Sequence, residues 1–116
     1  MRRGDIHSVD LDPARGSEAN KRRQAVIVSN DTANATAGRL GHGVITVVPV
    51  TPNIERVYPF QVLLPSAETG LDRDSKAHAE QVRSIAVERV GDPVALGAVP
   101  GVGEHSASIR AEFVKE

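Results

Sequence analysis

Three stretches of the chain are apolar at nearly every position and rich in β-branched side chains: AVIVS from Ala25 to Ser29, VITVVPV from Val44 to Val50, and YPFQVLLP from Tyr58 to Pro65. Continuous apolar runs of about 4–8 residues with this composition predict strands. DIHSVDL, Asp5 to Leu11, alternates instead. His7, Val9 and Leu11 share one face and Ile6, Ser8 and Asp10 the other, as in a half-buried first strand. Asp12-Pro13 and Gly16 then supply turn chemistry and an exposed loop. NDTANATAGRLGHG opens on the capping types Asn30 and Asp31 and closes on glycines, which predicts a short helical turn followed by a loop. Pro49, Pro52, Pro59 and Pro65 punctuate the next stretch, so its strands are expected to be short, edge-like or bent. Several short, bent strands suggest a compact barrel.

The segment from Asp74 to Val90, DSKAHAEQVRSIAVERV, fits two periods. Ala79, Val82, Ile85 and Ala86 follow helical spacing, while Val82, Ser84 and Ala86 alternate against Arg83, Ile85 and Val87. On propensity alone it reads as helix. The Gly- and Pro-rich tail offers little pattern beyond Ile109 and Phe113, four apart, which support a terminal helix.

Composition narrows the function classes. A length of 116 residues suits a single domain with one modest core, and no apolar run approaches the roughly 18 residues that cross a bilayer. MRRGDIHSVDL has no apolar segment of the kind a secretion signal needs, so a cytoplasmic protein is expected. Zero cysteines exclude disulfides, thiolate metal sites and a cysteine nucleophile. Fourteen Lys and Arg against fifteen Asp and Glu give a net charge of −1, so any polyanion must be bound locally. The aromatics, Tyr58, Phe60 and Phe113, are too few for an extended base-stacking platform.

Local positive charge is found in GSEANKRRQAVIVSND, where Lys21, Arg22 and Arg23 precede an apolar strand and Glu18 lies a short way upstream. A basic triplet is ordinarily a solvated corner. Here Thr51 also follows an apolar strand, and an arginine and a hydroxyl at adjacent strand ends can clamp a phosphate. The guanidinium offers a planar fork of donors with permanent charge, and the hydroxyl adds one short-range donor.

RRGDIHSVDLDPARGSEANKRRQAVIVSND, ITVVPVTPN, RVYPFQVLLP and KAHAEQVRSIAVER together resemble successive blocks of the MazF/PemK family, the toxin halves of bacterial toxin–antitoxin pairs, in order from Arg2 to about Arg89. The resemblance implies a mainly β fold with short helices, an SH3-like small β-barrel of the CcdB and MazF type, over a single domain 1–116 with an atypical tail at 90–116. It implies a homodimer that cleaves single-stranded RNA at specific sequences without metal or cofactor, and a MazE-like antitoxin as partner. It also moves AEQVRSI from helix to strand. In the family motif G-S-E-x-x-K-x-R-P the catalytic arginine maps onto Arg23, and the threonine after the VVPV strand maps onto Thr51. Glu18, Lys21 and Arg22 fall around the active centre and Gln81 in a block associated with RNA contact.

Four departures bear on activity: His7 replaces an aromatic residue, commonly Trp; Gln24 replaces the proline after the arginine; Pro52 replaces a serine; and the tail lacks the leucine-rich terminal helix. They keep open a catalytically weakened or silent relative that acts by binding an antitoxin or another protein. A CcdB-like gyrase poison is a third reading, disfavoured by the pairing of Arg23 with Thr51. His7 is expected to pack rather than to act as a base. His42, His78 and His105 lack metal-ligand spacing and are expected in solvent, as is the turn containing Asp72, Arg73 and Asp74. Asp5, Asp10 and Asp12 are expected in turns or salt bridges.

Overall fold

A computed structural model of the chain describes residues 1–11 and 22–97. The elements run β1 (Ile6–Asp10), β2 (Arg22–Ile27), α1 (Asp31–Leu40), β3 (Val44–Thr51), β4 (Val62–Leu64), α2 (Ser66–Thr69), β5 (Ser75–Ala77), β6 (Arg83–Ala86) and β7 (Val90–Ala95), with 3-10 turns at Ala79–Gln81 and Val87–Arg89. The strands form one antiparallel sheet in the order β4-β5-β3-β2-β1-β7, with β6 also on β3. The expected mainly β fold with short helices is what forms. Among the described residues no ladder joins β4 to β7, so the barrel is open, yet both ends of the sheet reach one core.

That core holds Ile6, Val26, Val48, Val50, Val62, Leu64, Leu71 and Ala77, with Ala95 of β7 packed against it. On the opposite face of the central strands a second cluster joins Val9, Ala25, Ile27, Ile45, Val47 and Ile85 to Ala37 of α1. Burial on both faces explains why AVI and VVPV are apolar without alternation. The helix is longer than the turn predicted, because Asn34 and Ala37 are buried. Its N-cap Asn30 accepts from Ala33 N–H at 2.8 Å, and Gly41, at φ 73°, closes it by donating to the Ala37 carbonyl at 2.9 Å.

Pro49 sits in the interior of the sheet. In an antiparallel strand the N and C=O of one residue share an edge. The Pro49 carbonyl accepts from His78 N–H at 2.8 Å, so the missing donor faces the interval where β6 ends and β5 begins and disturbs no ladder. The third apolar run supplies only Val62–Leu64 as strand, and Tyr58 and Phe60 stay exposed in the preceding loop.

The propensity-based helix over 74–90 does not form: the segment divides into β5, β6 and the start of β7, with 3-10 turns between. Of AEQVRSI, which the family resemblance places on a strand, residues 83–85 lie in β6, while Ala79–Gln81 is a 3-10 turn. The reason is tertiary, since β3 offers a free edge on which Val44–Val47 pair with Ala86–Arg83, and Val50 and Thr51 with Ala77 and Lys76. Those ladders and the burial of Ile85 and Ala77 outweigh helix preferences of a few tenths of a kcal/mol per residue. The tail also begins with structure that its composition hid, because Val90–Ala95 pairs with β1 as the last strand of the sheet, where Pro93 is tolerated. Buried Asp5 fastens its end by accepting from Gly97 N–H at 2.6 Å. The terminal helix expected around Ile109 and Phe113 lies outside the described residues, as does Asp12.

Candidate active site

β2 begins exposed and becomes buried, so its first side chains leave the core where the last ones of antiparallel β3 do. Gln24 pairs with Val50, and extending that register by one residue sets Arg23 opposite Thr51. The pair named from sequence therefore shares one face at one end of one ladder. Thr51 pairs in turn with Lys76 of β5. The Thr51 hydroxyl oxygen accepts from Asn53 N–H at 3.3 Å, which uses a lone pair and leaves the O–H able to donate to a phosphate oxygen. Pro52 occupies the middle of this turn, where it has no N–H to satisfy, and so fits the hydroxyl's position.

A pocket of about 260 Å³ opens at this strand end, with Arg23 but not Thr51 in its lining. Arg22, Arg23 and Gln24 from β2 line it with Val50 and Pro52, and its far wall is Leu71, Asp72, Arg73 and Ser75 from the β4–β5 connection. Three arginines against one aspartate make this lining cationic, and alternation along β2 turns the Arg22 side chain to the face of Val26 and Val50 and the Arg23 side chain to that of Ala25 and Ile27. Gln24 takes its place in ladders to both Ser8 and Val50, so the strand is held at the position where the family motif has proline. The Arg22 guanidinium also reaches across the sheet, its Nη2 2.7 Å from where a Cβ on Gly91 would stand.

Arg73 was expected in a solvated turn. It is exposed, but the fold turns it into a pocket wall and fixes its backbone. Leu71 N–H donates to Thr69 Oγ1 at 3.2 Å, Ser66 N–H to Asp74 at 2.8 Å, and buried Ser75 donates its hydroxyl to the Arg73 carbonyl at 3.1 Å. The sequence signal was an Arg in a short loop after Gly70-Leu71, with nothing local to aim it.

Residues 2–100 match the family described as PemK-like, MazF-like toxin of type II toxin–antitoxin system. The chain belongs to that family. It is 71% identical over 94 residues to endoribonuclease MazF9 of Mycobacterium tuberculosis, spanning 81% of this chain and 80% of the relative. To endoribonuclease MazF of Staphylococcus saprophyticus it is 34% identical over 91 residues, 78% of this chain and 72% of that one. Among solved structures, MazF from Deinococcus radiodurans superposes with a TM-score of 0.68 at 25% identity, covering 97% of this chain and 92% of the other. A mycobacterial endoribonuclease solved with its cognate antitoxin shares the fold, with a TM-score of 0.61 at 17% identity over 98% of this chain and 87% of that one.

In this PemK/MazF-like toxin the remaining candidates are dispersed. Glu18 and Lys21 lie outside the described residues. Gln81 is exposed on the 3-10 turn Ala79–Gln81, away from the pocket lining. His7 is buried between β2 and β7, opposite Ala25 and Pro93, and its Nδ1–H donates to the Gly91 carbonyl at 3.1 Å. Its Nε2 is buried without a partner among the described residues, so the ring packs, as its pattern predicted. His78 is not in open solvent as expected: its side chain is only 19% exposed, and Nδ1 stands 3.3 Å from Glu80 Oε2 and 3.2 Å from Gln61 Nε2. Burial raises the pKa of Glu80. Hydrogen bonds from Gln61, its own backbone and His78, with the charge of His78, more than offset this and hold the carboxyl below its ordinary value. Among the described residues no three His, Asp or Glu side chains converge on a metal site, and no helix is long and apolar enough to cross a membrane.

Proposed function

We propose that this chain is the toxin of a toxin–antitoxin pair and acts as a sequence-specific endoribonuclease on single-stranded RNA, by a transesterification that needs no metal. The observation that carries the reading is the register bringing Arg23 and Thr51 to one strand end, beside a pocket walled by Arg22 and Arg73. The 2′-hydroxyl gives its proton to water and its oxygen attacks the adjacent phosphorus. The bond from phosphorus to the 5′ oxygen breaks, and that oxygen takes a proton. The products are a 2′,3′-cyclic phosphate and a 5′-hydroxyl.

Arg23 stabilises the extra negative charge on phosphorus and donates to the leaving oxygen, and Thr51 holds a non-bridging oxygen. A guanidinium with a pKa above about 12 stays protonated at neutral pH, so Arg23 is not the base. His7, buried and bonded to Gly91, does not fill that role either. Glu18 orients Arg23 or water. In the cell the chain acts in the cytoplasm as a homodimer. An antitoxin segment of acidic, partly disordered character covers the cationic pocket and keeps it silent.

The test is incubation of the purified chain with a long single-stranded RNA in the presence of chelator, beside Arg23→Ala. Discrete cuts with 5′-hydroxyl ends from the parent alone support the reading. Intact RNA with a folded parent would reject it in favour of a protein that works by binding alone.

A further inference from the structure

Tyr58 and Phe60 stack in the loop before β4, with ring centroids 5.3 Å apart and planes 3° from parallel. They are two of the three aromatic residues in the sequence, and both are open to solvent, 41% and 51% exposed. A chain this poor in aromatics ordinarily places them in its core, where burial of a large ring stabilises most. Here the rings contribute little to either core cluster.

Cations accompany the stack. The Arg56 guanidinium carbon lies 5.6 Å and Lys76 Nζ 6.0 Å from the Tyr58 centroid. Lys76 is only 8% exposed, and its ammonium donates to the Arg56 carbonyl at 2.6 Å, so it props the loop from beneath. Gln61, 7% exposed, holds the other side: its N–H donates to the Tyr58 carbonyl at 2.9 Å, its Oε1 accepts from Tyr58 N–H at 3.1 Å, and its Nε2 donates to Glu80 at 3.1 Å. Glu80, whose carboxylate accepts that bond, lies on the Gln61 side, and Glu55 is the acid within the loop. The platform is thus rigid, flat and flanked by positive charge. It stands one strand from the candidate site, because Lys76 is the ladder partner of Thr51.

We infer that Tyr58 and Phe60 form a base-stacking subsite, which takes a nucleobase of single-stranded RNA adjacent to the phosphate held at Arg23 and Thr51, with Arg56 and Lys76 favouring the phosphodiester. The inference rests on the ribonuclease reading above and deepens it. A parallel ring pair suits the flat face of a base, and stacking tolerates any base, so this subsite supplies affinity and orientation while sequence choice lies elsewhere. Phe60, the more exposed ring, receives the base.

Tyr58 is the single tyrosine of a chain without tryptophan, so its fluorescence reports on this loop alone. The full chain is titrated with a 2′-O-methyl RNA oligonucleotide of mixed sequence, whose blocked 2′ oxygen cannot attack, and with an abasic strand of equal charge. Quenching by the base-bearing strand only is expected. Phe60→Ala should weaken its binding by about 5- to 100-fold with unchanged melting temperature, and Phe60→Trp should retain it. Equal quenching by the abasic strand, or unaltered binding by Phe60→Ala, overturns the subsite. Response to an acidic peptide but to neither strand assigns the rings to a protein partner and overturns it as well. Cleavage separates the two readings: RNA cut equally well by parent and Phe60→Ala removes the subsite alone, whereas base-dependent quenching by a parent that cuts nothing supports stacking and removes the nuclease.

Discussion

Arg22 lays its guanidinium across Gly91, a strand away on β7, so closely that a methyl group there would meet Nη2 at 2.7 Å and the Ser8 carbonyl oxygen at 3.1 Å. The missing side chain at Gly91 makes room for this approach, so the position of one of the pocket's arginines depends on a residue in the segment whose sequence carried least pattern. Gly91→Ala pushes the flexible guanidinium aside and presses on the backbone of β1. Urea unfolding should show a loss of about 1 kcal/mol, and RNA binding should weaken in Gly91→Ala as it does in Arg22→Ala, with no further loss when the two are combined.

In the proposed reaction Thr51 contributes through its O–H, since Asn53 N–H already occupies a lone pair of the oxygen. Thr51→Val keeps the shape of the side chain and removes the donor. A hydrogen bond to a charged phosphate contributes about 1.5–3 kcal/mol, so turnover should fall roughly 10- to 100-fold, while Thr51→Ser keeps most of it. Single-turnover kinetics on a short RNA measure both.

Arg73 lines the same pocket as Arg22 and Arg23, from a backbone tied by Ser75 and Asp74. If it grips a phosphate of the strand, Arg73→Ala should raise KM more than it lowers kcat, and the slope of log affinity against log salt should become shallower by about 0.7. Arg73→Lys should restore the slope. An unchanged slope in Arg73→Ala would return Arg73 to the solvent-facing role its sequence suggested.

Glu80 links the loop carrying Tyr58 to the turn carrying Gln81 through Gln61 and His78. Its folded pKa lies below the ordinary value of 4.5, so between the two values the folded chain binds fewer protons than the unfolded one and stability rises with pH. The contribution is complete above 4.5 and is lost as pH falls through the folded value. Thermal melts of the parent and Glu80→Gln should differ at about pH 6 and draw together as the pH falls below 4.5. With the Glu80 side chain 32% exposed, the difference stays under about 1 kcal/mol.

Much of this was written locally. Apolar runs without alternation announce strands covered on both faces, and β2 and β3 are such strands. Asn30 and Gly41 mark the ends of α1 because capping is a contact between residues a few positions apart. The family motifs led to Arg23 and Thr51, and their proximity follows once the two apolar strands pair.

What the sequence by itself determined is therefore the mainly β character, the start of a helix at Asn30, the family, and the arginine and threonine proposed for the candidate site. Tertiary structure alone decided the rest. The segment from Asp74 to Val90 has comparable local preferences for helix and strand, and the open edge of β3, far away in sequence, tips the balance with ladder bonds no local pattern contains. Arg73 joins the pocket, and Tyr58 and Phe60 become an exposed stack, for the same reason. Each loop takes its direction from long-range ties, Ser66 to Asp74 in one and Gln61 to Glu80 in the other, and a bond between distant residues leaves no mark on the residues immediately around either partner.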